Sequence, residues 1–500
     1  MKPLLLIFLS CTSICMIAQR VVYPENTYGE RVNNIRYFQI VGTINNHLLV
    51  FENEKAHHFL RVYNDSMELL ENTDLSFVPN GLEYARFIPY TDFARFIYVY
   101  EKSNTYYCMA AKINEDGKLI SKPKLLFTTP GRVGIDVFMD VVTSEDKSKI
   151  LLYKDQRQAD QIQFTNWIYD DSLQLLHKAQ NVTYYKKHEE FFNNFSVNNE
   201  GDWIFTREKR PDQQSYPGSN IVTGQLCIQY HNEDTLRAND LSTGGKLLDA
   251  LVLKVDNKNK HILVNSLYSS NSNIEGLYTA NWNETDTDWA TTKVSELGNT
   301  IRTLANDHGR TAAALNNFYI NHIILKKNGG FIVAAEERVA NYTTALPSLP
   351  SGSTYFFLYD SYQKIGRQYL TGSPTHLNTS LSGVDYGNIL LLNVDSSGNL
   401  EWGNVVSKQQ IGGTDVGWFS FATVFRGGNL NFIYNSPYKD AWLLQNESVT
   451  ANGKVIVNPL MRGLRDKYLF MPSQGKQISE NEFIIPAIYH GNLSFAKIEY

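Results

Sequence analysis

Most of this chain consists of short apolar runs of β-strand length, separated by turns rich in Gly, Asn and Asp. The stretch Phe318–Gln410 shows the pattern most clearly: it begins FYINHIILKKNGGFIVAAEERV and, after an irregular insert, continues YGNILLLNVDSSGNLEWGNVVSKQQ. Such runs with such punctuation predict antiparallel strands joined by hairpins. Groups of three or four runs start eight times, in residues 35–70, 95–127, 137–180, from 191, 248–297, 318–410, 418–460 and 467–500.

Eight similar groups without helical segments between them predict an all-β fold. A β-propeller of seven or eight four-stranded antiparallel blades fits best, because radially arranged small sheets leave only short, protected edges. We expect the innermost blade strands, covered on both faces, to be continuous apolar runs such as NHIILK and NILLLNV. A pair of β-sandwiches is the alternative, but it requires a linker, and none is clear. Residues 19–500 are therefore predicted to form a single propeller domain.

The last group is one strand short of the others, which predicts how the ring closes. The N-terminal segment Arg20–Tyr28 contains Val-Val-Tyr and is expected to supply the missing outer strand. One short helix is expected near residues 311–316, where Ala312–Ala314 favour a helix and the nearby Gly309 opposes a long one.

The first 18 residues, MKPLLLIFLSCTSICMIA, are typical of a secretory signal peptide that is cleaved after Ala18. Their apolar run is too short to span a bilayer, and no later stretch approaches the roughly 20 apolar residues of a transmembrane helix. We therefore expect export, and the Ala18-Gln19 junction, which resembles signal-peptide ends common in Bacteroidota, implies a Gram-negative periplasm or cell surface. A lipoprotein acylated at Cys11 or Cys15 is the less favoured alternative, because the residues before each cysteine fit a lipobox poorly.

Charge and cysteine content exclude some classes of protein. The net charge is −5, from 46 basic and 51 acidic residues without a long run of either sign. This argues against a nucleic-acid-binding surface and against a polybasic membrane patch. The mature chain keeps Cys108 and Cys227, both in apolar strand-like segments, and we predict buried free thiols. Their spacing alone does not show whether they pair.

Motifs for catalysis or metal binding fail on their spacing. His188-Glu189-Glu190 begins like a zincin motif, but Phe192 stands where the second His is required. No GxSxG elbow and no CxxC pair occurs, and Thr243–Lys246 lacks the spacing of a phosphate-binding loop. Asp395–Trp402 resembles the Asp-box turn of sialidase-like propellers, a structural hairpin remote from the active site. We predict no catalytic residues, no metal site and no cofactor.

In Phe318–Gln410 a glycine turn precedes an acidic strand end, and a strand with Gly and Trp precedes a Lys-x-Gln tail. With these features the two halves of the stretch are similar to segments of exported β-propeller-like proteins of Bacteroidota, a group without an established activity. The Ala18-Gln19 junction also resembles signal-peptide ends common in that phylum. The similarity covers roughly residues 318–435 and implies a compartment and a fold, not a reaction.

Polar side chains follow two of the apolar runs and form the candidate site. Glu336 and Glu337 end one run, and Lys408, Gln409 and Gln410 follow another. In a blade such ends can converge on one rim, which predicts a polar cluster near the central channel that binds a ligand or partner. The alternative is Lys–Glu pairing between neighbouring strands on a solvated face.

These features predict a non-enzymatic binding or scaffold protein of the cell envelope, whose partner is an envelope protein or a glycan. The alternative is a glycan hydrolase or lyase that uses channel carboxylates such as Glu336 or Asp385, which would have to lie about 5–10 Å apart. Four tyrosines in or beside the irregular loops 340–353, 371–387 and 436–441 are suited to a glycan or protein contact: Tyr342, Tyr355, Tyr386 and Tyr438.

Overall fold

A computed structural model describes residues 19–24, 35–54, 57–130, 137–157, 160–212, 220–270, 273–305, 315, 317–343, 380–411, 418–438, 441–459, 461 and 468–500. Within these residues the strands form eight separate antiparallel sheets, the blades of a β-propeller. The predicted fold class is confirmed, and the number of blades is eight. The predicted signal peptide, residues 1–18, lies outside the described residues.

The blades follow one another along the chain. Blades 1 to 4 contain β2 (Ile35–Ile44), β3 (His47–Glu54), β4 (His58–Tyr63) and β5 (Leu69–Asp74); β6 (Leu82–Pro89), β7 (Ala94–Lys102), β8 (Thr105–Ile113) and β9 (Leu119–Pro130); β10 (Val137–Thr143), β11 (Lys149–Arg157), β12 (Gln161–Asp170) and β13 (Leu175–Tyr184); β14 (Glu190–Val197), β15 (Trp203–Lys209), β16 (Thr223–Gln229) and β17 (Arg237–Asp240).

The second half of the chain forms blades 5 to 8, and β1 (Arg20–Val22) joins the last of them. These blades contain β18 (Leu247–Leu248), β19 (Val252–Asp256), β20 (His261–Ser270), β21 (Asn273–Asn283) and β22 (Asp288–Glu296); β23 (Phe318–Leu325), β24 (Phe331–Thr343), β25 (Ser380–Val394) and β26 (Leu400–Val406); β27 (Phe421–Arg426), β28 (Asn429–Tyr438), β29 (Ala441–Val449) and β30 (Val455–Val457); β31 (Tyr468–Phe470), β32 (Lys476–Ser479), β33 (Glu482–Tyr489) and β34 (Asn492–Glu499).

Strands that are consecutive in sequence are neighbours in each sheet. In blades 5 and 8 two short segments, β18 with β19 and β31 with β32, together occupy the place of the first strand. The ring closes as predicted, because β1 pairs antiparallel with β34 and becomes the outer strand of blade 8. Arg20 is paired with Glu499 and Val22 with Lys497.

The hydrophobic core is divided into layers between adjacent blades. Because successive side chains of a strand point to opposite faces, one strand supplies two layers. On β11, Ile150 and Leu152 pack against blade 2, whereas Leu151 and Tyr153 pack against blade 4. Equivalent layers join every pair of neighbouring blades, and the layer between blades 8 and 1 also contains Tyr386. Each blade is therefore stable only between two neighbours.

One expectation about the innermost strands was wrong. The run NILLLNV belongs to β25, the third strand of blade 6, and its residues from Asn388 to Leu392 are buried. The first strand, β23, contains NHIILK but is mostly half-buried. A middle strand is covered by a blade on each face, whereas the first strand borders a central cavity.

In five blades a five-residue loop of the same geometry joins the third strand to the fourth. The side-chain oxygen of the loop's first residue accepts a hydrogen bond from the backbone N–H of the fifth residue, and the fourth residue has positive φ. Met67 (63°) and Leu173 (66°) take this position in blades 1 and 3, where glycine would be expected. The dipeptide Asp116-Gly117 is typical of a type I′ turn, but it belongs to this class of loop, because only Gly117 has positive φ. The capping residues are Asn64, Asn114, Asp170, Asp395 and Thr450.

Helix is scarce. One helix, α1 (Asn299–Ala305), precedes blade 6, and the helix expected near 311–316 falls almost wholly outside the described residues. None of the described helices is long and apolar enough to cross a membrane. Cys108 and Cys227 are free and buried, as predicted. Burial raises the pKa of the Cys227 thiol to about 12, which makes it unreactive.

We expect closure by β1 to depend on Tyr23, whose ring lies 4.6 Å from that of Tyr468 and 6.3 Å from that of Phe470. Tyr23→Ala removes this packing and is expected to lower the free energy of unfolding by about 1–3 kcal/mol, measured by urea denaturation. The control Arg20→Ala, on an exposed side chain of the same segment, should change it by less than about 0.5 kcal/mol. Equal effects of the two variants would contradict this account.

Candidate functional site

The first strands of blades 3 to 8 enclose a cavity of about 670 Å³ at the centre of the propeller. Its size is that of a small-molecule site. Aromatic rings, among them Tyr153, Phe195, Tyr319 and Phe421, form part of its wall. The polar part of the wall consists of Asp140, Asn193, Asn194, Glu208, Asp249, Asn321, His322, Arg338, Ser420, Thr423, Ser473, Gln474 and Gln477.

A buried carboxylate, Glu336, lies directly behind this wall. It stands on β24 with 0% of its side chain exposed, and its Oε1 lies 2.9 Å from Nζ of Lys408. Its Oε2 accepts hydrogen bonds from Nε of Arg338 at 3.2 Å and from Oγ of Ser420 at 2.7 Å. The amide of Asn321 donates to the same oxygen at 3.1 Å. We call these residues, together with Gln410, the Glu336 cluster.

The connection from blade 6 to blade 7 supplies the other half of the Glu336 cluster. Lys408 follows β26, is fully buried, and donates from Nζ to Oε1 of Gln410 at 2.9 Å. The Gln410 amide in turn donates to the carbonyl of Asn435 in blade 7 at 2.8 Å, and its backbone pairs with Tyr386. The Glu336 cluster therefore joins the two blades through polar contacts at the edge of the cavity.

Burial and charge oppose each other in this cluster. Burial alone would raise the pKa of Glu336, but the charges of Lys408 and Arg338 and the hydrogen bonds from Lys408 and Ser420 hold that pKa below its usual value. Burial lowers the pKa of Lys408, and the Glu336 carboxylate only partly offsets this effect. The carboxylate is therefore an ionised acceptor, which fixes the groups that donate to it.

Three of the five predicted site residues come together, and two do not. Glu336, Lys408 and Gln410 meet in the buried cluster, not on the solvated face considered as the alternative. Gln409 is exposed. Glu337 projects from the opposite face of β24, where its carboxylate occupies the space that a side chain at Gly387 would need. The ligand-binding role of these residues stays a prediction.

The structure also locates the other candidates. Tyr386 lies in β25, not in a loop, and is 3% exposed, but it borders the central cavity. The side chains of Tyr342, Tyr355 and Tyr438 fall outside the described part of the chain. Asp385 is half-buried on β25 and does not border the cavity. No group of three or more His, Cys, Asp or Glu side chains among the described residues is placed to hold a metal ion.

The sequence interpretation missed three residues of the cluster, Asn321, Arg338 and Ser420, although a repeated signal points to Arg338. Glu336 and Arg338 are two positions apart and therefore share a strand face. The same acid-x-Arg spacing recurs on the second strands of blades 3 and 4. Asp155 is 3.1 Å from Arg157 there, and Glu208 is 3.0 Å from Arg210. All three acids are buried, so the spacing marks where a blade carries a buried carboxylate.

A second acid, Asp249, borders the cavity from blade 5. Its Oδ1 accepts hydrogen bonds from Asn220 at 2.7 Å and from Ser269 at 2.8 Å. Burial raises its pKa to about 6, and these hydrogen bonds and the charge of Arg210 offset only part of that effect. Asp249 therefore takes up or releases a proton near neutral pH. Asp249 belongs to no recognisable motif, so it could not be selected from the sequence alone.

No protein-family model matches this sequence, and no curated protein is similar to it. Solved structures with a similar fold include prolyl oligopeptidase B from Galerina marginata, at 8% identity and a TM-score of 0.37, over 91% of this chain and 56% of that one. A Synechocystis apocarotenoid oxygenase aligns at 9% identity and a TM-score of 0.34, over 76% of this chain and 75% of the oxygenase. Polysaccharide lyase Uly1 aligns at 10% identity and a TM-score of 0.33, over 87% of this chain and 91% of the lyase. The chain thus spans about half the length of the peptidase, and similarity at this level carries no argument about activity.

Removing one charge from the Glu336 cluster should destabilise the fold strongly. Glu336→Gln leaves Lys408 and Arg338 buried without a counter-charge, and we expect the free energy of unfolding to fall by about 3–5 kcal/mol in urea denaturation. The neighbouring exposed change Gln409→Ala should cost less than about 0.5 kcal/mol. In the double variant Glu336→Gln/Lys408→Met the loss should be smaller than the sum of the single losses, and strict additivity would contradict the pairing.

Asp249 should make stability depend on pH. Its folded pKa of about 6 lies above the ordinary value of about 3.9, so its contribution is full below pH ~4 and is lost as pH rises through 6. Asp249→Asn removes this titration. Relative to the variant, the native protein should lose about 2–3 kcal/mol of stability between pH 4 and pH 7.5, measured by urea denaturation. A difference that stays constant with pH would refute the shifted pKa.

Proposed function

We propose that this protein is an exported, non-enzymatic binding protein of the bacterial cell envelope, and that it holds a small polar ligand in its central cavity. Export is part of the proposal and is supported by the composition of residues 1–18 and by the resemblance of residues 318–435 to exported Bacteroidota proteins. A scaffold role, with an envelope protein or a glycan as partner, belongs to the same proposal.

The observation that carries the binding function is the wall of the cavity. Six blades contribute amide, hydroxyl, carboxyl, guanidinium and aromatic groups to a space of about 670 Å³. A wall needed only for packing would be apolar, because each buried polar group costs free energy unless it is hydrogen-bonded. Amides and hydroxyls beside aromatic rings suit a ligand that carries several hydroxyl groups, such as a glycan fragment.

The state of Glu336 supports binding over hydrolysis. A glycan hydrolase needs one carboxyl group that can donate its proton. Lys408 and Arg338 hold the pKa of Glu336 below its usual value, and Glu336 itself does not border the cavity. A hydrolase or lyase is the second candidate. The observation that favours it is Asp249, which borders the cavity and has a pKa raised to about 6.

Calorimetric titration of the chain from residue 19 onward with a panel of envelope-derived oligosaccharides tests the proposal. At least one should bind, without being cleaved over hours. Ala250→Trp places a large ring at the cavity wall and is expected to weaken that binding by at least tenfold. The matched control Val182→Trp adds the same ring to an outer strand, at a side chain that is 58% exposed, and should bind normally.

Two results would contradict the binding function. One is the absence of binding by every oligosaccharide tested, and the other is binding that Ala250→Trp leaves intact, because the ligand would then lie elsewhere. Cleavage of a bound oligosaccharide that Asp249→Asn abolishes would replace the binding function with the hydrolase or lyase.

A further inference from the structure

We propose that Arg338 binds a carboxylate of the ligand, so that the central cavity selects acidic sugars of the uronic-acid class over neutral ones. This inference rests on the proposed binding function and adds the chemical class of the ligand. It concerns a residue that lies in the cavity wall, beside the buried carboxylate that orients it.

The first argument is the supply of hydrogen-bond donors. A guanidinium has five N–H donors. In the described part of the chain, Arg338 uses Nε to reach Glu336 and Nη2 to reach Oδ1 of Asn321. Three N–H groups remain for the cavity, although the side chain is only 12% exposed. A carboxylate is ionised at neutral pH and accepts two parallel hydrogen bonds from such a guanidinium. These charge-assisted hydrogen bonds are stronger than those between neutral groups.

The second argument is the orientation of this group. The Cζ atom of Arg338 lies 6.0 Å from the ring centre of Tyr319 and 5.7 Å from that of Tyr386. The two rings and the two hydrogen bonds hold the guanidinium before any ligand arrives. Preorganisation of this kind favours binding because less conformational entropy is lost when the ligand enters.

The third argument is charge. Glu336 is shared between Lys408 and Arg338, and Glu337 acts on Lys408 from the other face of β24. Of these four charged residues only Arg338 borders the cavity, so the wall here presents one positive charge. One such charge matches a monoanionic carboxylate better than a phosphate dianion.

The other charged side chains of the cavity wall support Arg338 as the binding site of a carboxylate. Arg338 is the one Arg or Lys side chain that the described structure places in the cavity wall, so it is where an anion would bind. Of the three acids in the wall, Glu208 is paired with Arg210, and Asp140 accepts a hydrogen bond from Tyr84 at 2.7 Å. The third, Asp249, accepts hydrogen bonds from Asn220 and Ser269. A ligand whose charge sits at one end and whose hydroxyls face the amides of Asn193 and Gln474 fits such a wall.

The test is the preference for an acidic over a neutral probe. Galacturonate, which carries one carboxylate, and its neutral counterpart, galactose, are titrated into the chain from residue 19 onward by calorimetry. We expect galacturonate to bind at least tenfold more tightly in the native protein. Arg338→Gln should abolish that preference. Arg157→Gln, at the same strand position in blade 3 but outside the cavity wall, should keep the preference.

The outcomes separate this inference from the proposed function. Equal binding of both probes, blocked by Ala250→Trp, would retain the cavity as a binding site and refute the role of Arg338. An unchanged preference in Arg338→Gln, with the far-ultraviolet dichroism and melting temperature of the native fold, would also refute it. Tighter binding of inorganic phosphate than of galacturonate would overturn the carboxylate assignment. If neither probe binds, both proposals fail for sugars.

Discussion

The packing of each blade against the next is the constraint on which the rest of this protein depends. A four-stranded sheet with apolar side chains on both faces is not stable alone, and here every sheet is covered by two neighbours. This explains why the middle strands are the most buried and why the cavity forms at all. Once eight sheets are fixed side by side, their first strands cannot meet at the axis, and the space left there is lined by whichever side chains they carry.

The buried carboxylates are the polar counterpart of these apolar layers. Asp155, Glu208 and Glu336 stand at corresponding places on second strands, each beside an arginine two positions later. Glu208 and Glu336 also accept hydrogen bonds from the first segment of the following blade, through Leu251 and Ser420. Buried ion pairs add little net stability, but their geometry is demanding. They fix the position of one blade relative to the next. In blade 6 the buried carboxylate of Glu336 also holds the guanidinium of Arg338 at the cavity wall.

The spacing of apolar runs was enough to predict the propeller, its eight strand groups and the closing role of Val21 and Val22, because strand period and turn residues are local signals. Loops in which Met67 or Leu173 takes the place of glycine lack that signal. Glu336 and Lys408 were found because they follow apolar runs. Asn321 and Ser420 reach Glu336 from 15 and 84 positions away, and no spacing rule connects them. Arg338 carried a usable signal, the shared strand face, which becomes convincing only when blades are compared.

Closure by β1 has a consequence for the order in which this chain folds. Residues 20–22 are synthesised long before their partners, residues 497–499. Until those partners emerge, blade 1 lacks one of its two neighbours and β1 has no strand with which to pair. Pairing over so long a sequence separation is slow, because the entropy of closing the loop is lost before any contact is gained. The complete ring is therefore expected to form in a late, all-or-none step, and a chain that has not yet supplied residues 497–499 would remain open.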